Sequence, residues 1–205
     1  NTGTPSNFHQ CIAVSTTADP TGTWYRYDFV TGTTIFPDLP RLGLWPDGYY
    51  MSFDQYAYPG YAWGGGFPLQ NAGTYYQGSI TGSGDIFIMK FTNTGALLWS
   101  TYYGGGAVDE GNSIVTDAQG NIFITGSTAS SAASFPLFNP GGGDYYQGTK
   151  GGTWDAYLLK FDNAGNRLWA TYFGGAGDET YKEYTYDNLV VDACDSFRTK
   201  VEMIA

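Results

Sequence analysis

The sequence predicts an all-β fold built from repeated four-stranded antiparallel sheets. Three observations carry this expectation. A block of about 70 residues occurs twice. Short stretches inside it are separated by Asp-x-x-Gly-Asn turns. The composition, with 30 Gly and 18% aromatic residues, favours turns and pleated surfaces over helices.

The repeat is direct. Asp85-Ile86-Phe87-Ile88-Met89-Lys90-Phe91 returns as Asp155-Ala156-Tyr157-Leu158-Leu159-Lys160-Phe161, and Leu98-Trp99-Ser100-Thr101-Tyr102-Tyr103-Gly104-Gly105 returns as Leu168-Trp169-Ala170-Thr171-Tyr172-Phe173-Gly174-Gly175. Between positions 85 and 105, 11 of 21 residues are identical to those 70 positions later, too many for chance. Tyr75-Tyr76-Gln77-Gly78 also returns at 70, as Tyr145-Tyr146-Gln147-Gly148. Phe67-Pro68-Leu69 returns at 68, and the slip is absorbed by Gly141 to Gly143. A period of this size means stacked or radial modules.

One period resolves into four strands, near 111–116, 122–126, 155–161 and 167–173. Asp117-Ala118-Gln119-Gly120-Asn121 and Asp162 to Asn166 supply hairpin turns between them. Four antiparallel strands per period make the blade of a β-propeller. At 70 residues per blade, 205 residues give about three. Closed propellers have roughly four to eight. The expected set of blades is therefore incomplete or fragmentary, or completed by other copies.

These residues resemble the bacterial β-propeller repeat family SBBP over about 67–180. The motifs that carry the resemblance are Thr101-Tyr102-Tyr103-Gly104-Gly105, the acidic pair Asp109-Glu110, Asp117-Ala118-Gln119-Gly120-Asn121, Ile124-Thr125-Gly126-Ser127-Thr128 and Phe135-Pro136. The resemblance implies extracellular scaffolds and adhesins without defined catalysis.

Residues 1–66 do not align with the repeat. They read as strands at 8–16, 23–29, 41–45 and 48–53, and the change of pattern falls at Gly64-Gly65-Gly66. Cys11 to Tyr27 and Pro37 to Tyr50 resemble another group of exported propeller-like bacterial proteins. The organisation expected is a divergent β segment over 1–66, tandem repeats over 67–179, and a divergent last strand and tail over 180–205. In the tail, 186–192 is a strand candidate and 196–205 a short helix or loose end.

Charge narrows the function classes. The net charge of −10 comes without any cluster of Lys or Arg, so nucleic acid is not an expected partner. No apolar run reaches the ~20 residues of a membrane span. The chain begins at Asn1 without a charged-then-apolar leader, which reads as a processed mature chain or a fragment. Low charge and abundant Gly, Thr, Ser and Tyr suit an exported protein. Cys11 and Cys194 could pair or stay separate. With His9 the only histidine and no Cys-x-x-Cys, a zinc site is not expected.

Candidate residues are few. Tyr75, Tyr76, Tyr145 and Tyr146 are ligand-binding candidates, because Tyr offers a flat apolar face and a polar tip to sugars or proteins. Asp109, Glu110, Asp178 and Glu179 follow the Gly-Gly turns and are candidates for Ca²⁺, a hard cation that takes oxygen ligands. The competing reading makes them turn acids that accept backbone N–H bonds. Trp99 and Trp169 read as residues that lock one blade onto the next. No Gly-x-Ser-x-Gly elbow or phosphate loop is present. The expected function is a non-enzymatic secreted or cell-surface scaffold that binds protein chains, including copies of itself. The alternative is a secreted carbohydrate-active enzyme or carbohydrate-binding module.

Overall fold

The computed structural model describes residues 8–19, 21–32, 35–57, 75, 77–179, 189–191 and 197–199. The described elements are all strands: β1 (Phe8–Ser15), β2 (Trp24–Gly32), β3 (Ile35–Trp45), β4 (Gly48–Ala57), β5 (Gly84–Thr92), β6 (Leu97–Tyr103), β7 (Asp109–Thr116), β8 (Ile122–Thr128), β9 (Asp155–Phe161), β10 (Arg167–Phe173), β11 (Leu189–Val191) and β12 (Phe197–Thr199). They form two four-stranded sheets, β3-β4-β5-β6 and β7-β8-β9-β10, and two hairpin pairs, β1-β2 and β11-β12. All pairings between these strands are antiparallel. The two large sheets are successive blades.

β3 and β4 come from the part of the chain that does not repeat, yet they fill the first two strand positions of the first blade. The register shows the equivalence. Tyr50 lies opposite Lys90 in the first blade, and Phe123 lies opposite Lys160 in the second. A blade position demands alternation and an aromatic or branched side chain, not a fixed sequence. The pattern change at Gly64-Gly65-Gly66 therefore falls between two strands of one sheet.

Turns follow from their residues. Asp117 accepts backbone N–H bonds from Gln119 at 3.0 Å and Asn121 at 2.8 Å, and the Asn121 amide donates to its other oxygen at 2.7 Å. Asp162 repeats this set with Ala164 and Asn166. Gly120 and Gly165 sit at φ 77° and 86°, where a side chain would be strained. In the tail, β12 pairs antiparallel with β11, so residues 197–199 form a strand where a helix or loose end was expected. Backbone pairing with a neighbouring segment, invisible in a local reading, decides this.

Burial explains how the blades stack. Along β5, Ile86 and Ile88 join a core with Ile122, Ile124, Tyr157, Leu159, Phe161 and Tyr172 of the second blade. The alternate residues Phe87, Met89 and Phe91 face the other way and pack with Met51, Phe53 and Tyr102, with Ile12 of β1 against them. Both faces of β5 are thus buried. Each fully buried Ile, Leu, Phe or Met among them contributes about 1.5–3 kcal/mol by leaving water.

A polar lock fastens the blades at one end. The turn residue Asn163 of the second blade sits beside Lys90 and Trp99 of the first. The Lys90 ammonium, with the residue 4% exposed, donates to Asp47 at 2.9 Å, to the Asn163 carbonyl at 3.3 Å, and to the Asn163 side-chain oxygen. It also lies over the Tyr50 ring, 5.3 Å from its centre. The Trp99 indole N–H donates to the Asn163 carbonyl at 3.4 Å. Trp99 is thus an inter-blade lock, as its repeat position suggested. Trp169 differs, since its N–H donates within its own blade to the Tyr145 carbonyl at 3.0 Å.

Candidate functional site

The densest polar chemistry sits where β6 turns into β7 through Gly104 and Gly105. Asp85 is the second residue of β5 and is fully buried. Its Oδ2 accepts from the Gln77 amide at 2.5 Å and from the Thr81 N–H at 3.0 Å, while its Oδ1 is buried without a hydrogen-bond partner. Gln77 uses its other end to accept the Gly104 N–H at 3.2 Å, and its own N–H donates to Thr101 Oγ1 at 2.9 Å. Asp109, also fully buried, accepts from the Gly105 N–H at 2.6 Å, from Ser130 Oγ at 2.9 Å and from Thr128 Oγ1.

The two carboxylates converge on Gly104. The point that a Cβ on Gly104 would occupy lies 2.4 Å from Asp85 Oδ1 and 2.8 Å from Asp109 Oδ2. Only glycine leaves room for both acids there. Burial, reinforced by the charge of Asp109, pushes the Asp85 carboxyl up to about 7, against the opposing pull of its Thr81 and Gln77 bonds. Burial likewise raises Asp109, although its hydrogen bonds oppose the shift. A shallow cleft of about 480 Å³ opens beside the corner, lined by Tyr75, Gln77, Thr81, Gly104 to Gly106, Ser134 and Pro136.

The second blade repeats the corner with a change of acid. Gln147 donates to Asp155 at 3.4 Å and accepts the Gly174 N–H at 3.2 Å. Here the Gly175 N–H donates to Glu179 at 3.0 Å. Glu179 thus takes the place that Asp109 holds in the first blade. Asp178, exposed, instead accepts the N–H groups of Thr153 at 2.6 Å and Trp154 at 3.1 Å. Glu110 is half-buried, and Ser127 Oγ donates to it at 3.5 Å. The four acids singled out in the sequence therefore sit at two corners rather than one. Among the described residues, no three or more His, Cys, Asp or Glu side chains are grouped so as to hold a metal. The sequence reading passed over Gln77, Asp85, Gln147 and Asp155, although all four repeat at 70.

The tyrosines separate by environment. Tyr75 packs against Tyr103 with ring centres 4.9 Å apart, under the Arg167 guanidinium at 4.7 Å, and its hydroxyl donates to Gln77 at 2.9 Å. Burial raises its hydroxyl far above the usual range. Tyr76 lies outside the described residues. Tyr145 is 52% exposed and Tyr146 36%. The Tyr145 ring leans on Phe173 and its hydroxyl donates to Gln147 at 2.9 Å. It repeats Tyr75 in chemistry but not in burial.

On the β1-β2 hairpin, His9 Nδ1 lies 2.7 Å from Asp28, a carboxylate partner that the sequence did not reveal. Cys11 is exposed and not in a disulfide, and Cys194 lies outside the described residues. Partial desolvation and the Asp28 carboxylate raise the Cys11 thiol, which weakens it as a nucleophile. An apolar pocket of about 220 Å³ lies between this hairpin and the first blade, lined by residues such as Ile12, Val14, Leu42 and Tyr49.

Stacked four-stranded meanders locked through their turns define a repeat protein of the β-propeller class. Residues 98–131, which run from the last strand of the first blade through the second strand of the next, match the SBBP family model, described as a beta-propeller repeat. The match falls within the repeat read from the sequence and agrees with its resemblance to SBBP. An uncharacterized WD repeat-containing protein of Acanthamoeba polyphaga mimivirus is 29% identical over 91 residues, or 44% of this chain. The chain spans about 6% of that relative's length. Among the described residues, no helix is long and apolar enough to cross a membrane.

Proposed function

We propose that the chain is a non-enzymatic scaffold, secreted or displayed at a cell surface, whose blades present surfaces to other protein chains for adhesion or assembly. The observation that carries this reading is how the polar groups are used. Asp85, Asp109, Asp155 and Glu179 hold the backbone of their own corners. Gln77 and Gln147 bridge the same corners. Groups engaged in this way build the fold and leave interaction to exposed surfaces. A match to a propeller repeat supports the reading, because rigid radial modules suit partner binding. Composition supports an exported protein.

Protease shaving of intact source cells tests the location. Peptides of this chain in the shaved fraction are expected, and recovery only from the cytosol would refute it. The exposure of Tyr145 and Tyr146 favours one second reading, a carbohydrate-binding module. A glycan array separates the two. A glycan signal abolished by Tyr145→Ala would favour that reading, and turnover of a bound glycan would favour an enzyme.

A further inference from the structure

The two hairpin pairs stand in complementary blade positions. β2 relates to the first blade as β6 relates to the second. The Tyr27 hydroxyl donates to the Thr94 carbonyl at 2.5 Å, in the turn between β5 and β6, just as Trp99 donates to Asn163 in the turn between β9 and β10. Gly95, at φ 84°, leaves room for the Tyr27 ring. β1-β2 therefore matches the third and fourth strands of a blade. Its turn agrees. Gly22 N–H donates to the Asp19 carbonyl, as Gly165 N–H donates to that of Asp162. At the other end, β11 lies against β7, as β7 lies against β3, which is a first-strand position. β12 then follows as a second strand.

The outer face of the second blade carries a matching socket. Lys160 lies opposite both Phe123 and Trp169, as Lys90 lies opposite Tyr50 and Trp99. Its ammonium sits over the Phe123 ring at 4.9 Å, as that of Lys90 sits over Tyr50. Lys90 is capped by a turn of the next blade. Lys160 is half-buried and, among the described residues, makes no hydrogen bond or ion pair. Lys90 takes oxygens from two sides, those of Asn163 in the next blade's third-to-fourth-strand turn and the Asp47 carboxylate of its own blade, while Asp162 caps its own turn. What fits Lys160 is such a turn carrying an acid. The turn of β1-β2 has it, with Asp19 its single charge between Thr16 and Thr23.

We propose that β11-β12 of one copy and β1-β2 of a second copy join into one four-stranded blade, with the second copy's Thr16–Thr23 turn seated against Lys160 and Trp169 of the first. The inference rests on the scaffold reading and names its partner: another copy of this chain, bound head to tail. Such a contact is heterologous, so it builds a ring where the rotation closes and a filament where it does not.

Sedimentation velocity over a concentration series, followed by carbodiimide cross-linking of mixed isotopically light and heavy protein, tests it. Reversible association is expected, with an Asp19–Lys160 link found in hybrid light–heavy peptides. Lys160→Glu should weaken association about tenfold or more by placing like charges together. Its melting temperature should stay near that of the parent, since Lys160 is half-buried and, among the described residues, is held only by its contact with the Phe123 ring. A monomer up to about 1 mM would overturn the proposal. So would association insensitive to Lys160→Glu, or a link found only within single copies. A monomer exposed on the cell surface would leave the scaffold reading standing. An oligomer that turns over a glycan would overturn that reading instead.

Discussion

The corner at Gly104 predicts a specific pH dependence of stability. Asp85 is pushed up to about 7 in the folded chain, chiefly by burial. Unfolded, it titrates near ~3.9. A folded-state value above the unfolded one means that ionisation opposes folding. The contribution is fully present below about 4, is lost as pH rises through about 7, and is constant above that. At about 1.4 kcal/mol per unit, the loss is roughly 4 kcal/mol as an upper bound. Asp85→Asn replaces the acid by a neutral amide of the same shape. Its carbonyl can accept from Thr81 and Gln77, and its NH₂ can donate toward Asp109, where Asp85 Oδ1 is a buried acceptor without a partner. Urea unfolding of both proteins at intervals from pH 4 to 9 measures the difference. The variant should be near parity at pH 4 and more stable by about 1–3 kcal/mol at pH 8. A difference that does not change with pH, or a variant less stable at pH 8, would refute the account of the paired carboxylates.

Other perturbations follow from the same contacts. Gly104→Ala drives a methyl into both acids and should cost about 1–3 kcal/mol by urea unfolding. Asp109→Ala strips the acceptor from Gly105 N–H, Ser130 and Thr128, and should cost about 3 kcal/mol or more. Because these oxygens are spent on the chain itself, millimolar Ca²⁺ should leave the melting temperature unchanged, and a rise of several degrees would revive the cation reading. Lys90→Ala leaves Asp47 and Asn163 without their cation between the blades, with an expected loss of about 3 kcal/mol and a lower melting temperature.

Much of this fold is legible in the chain because a blade is a local object. The strands near 122, 155 and 167 follow from alternation, and the turns at Asp117 and Asp162 from residues that cap their own backbone. Trp99 is legible as a lock because its repeat placed it at a blade boundary. The candidate acids were legible as a motif, but their roles were not. Asp109 and Glu179 share a role because both stand four residues after the second glycine of their turns, at the same 70-residue offset, whereas matching the pairs Asp109-Glu110 and Asp178-Glu179 slips that register by one.

The sequence by itself determined the repeat, its strands and its likeness to the SBBP repeat, since short-range periodicity and turn chemistry depend on neighbours within a few residues. Tertiary structure alone decided three things. It completed the first blade with the non-repeating β3 and β4, buried the facing carboxylates of Asp85 and Asp109, and, among the described residues, left Lys160 uncapped where Lys90 is capped. Each depends on residues brought together from distant parts of the chain, and burial and facing charge are properties of that arrangement rather than of any residue's neighbours.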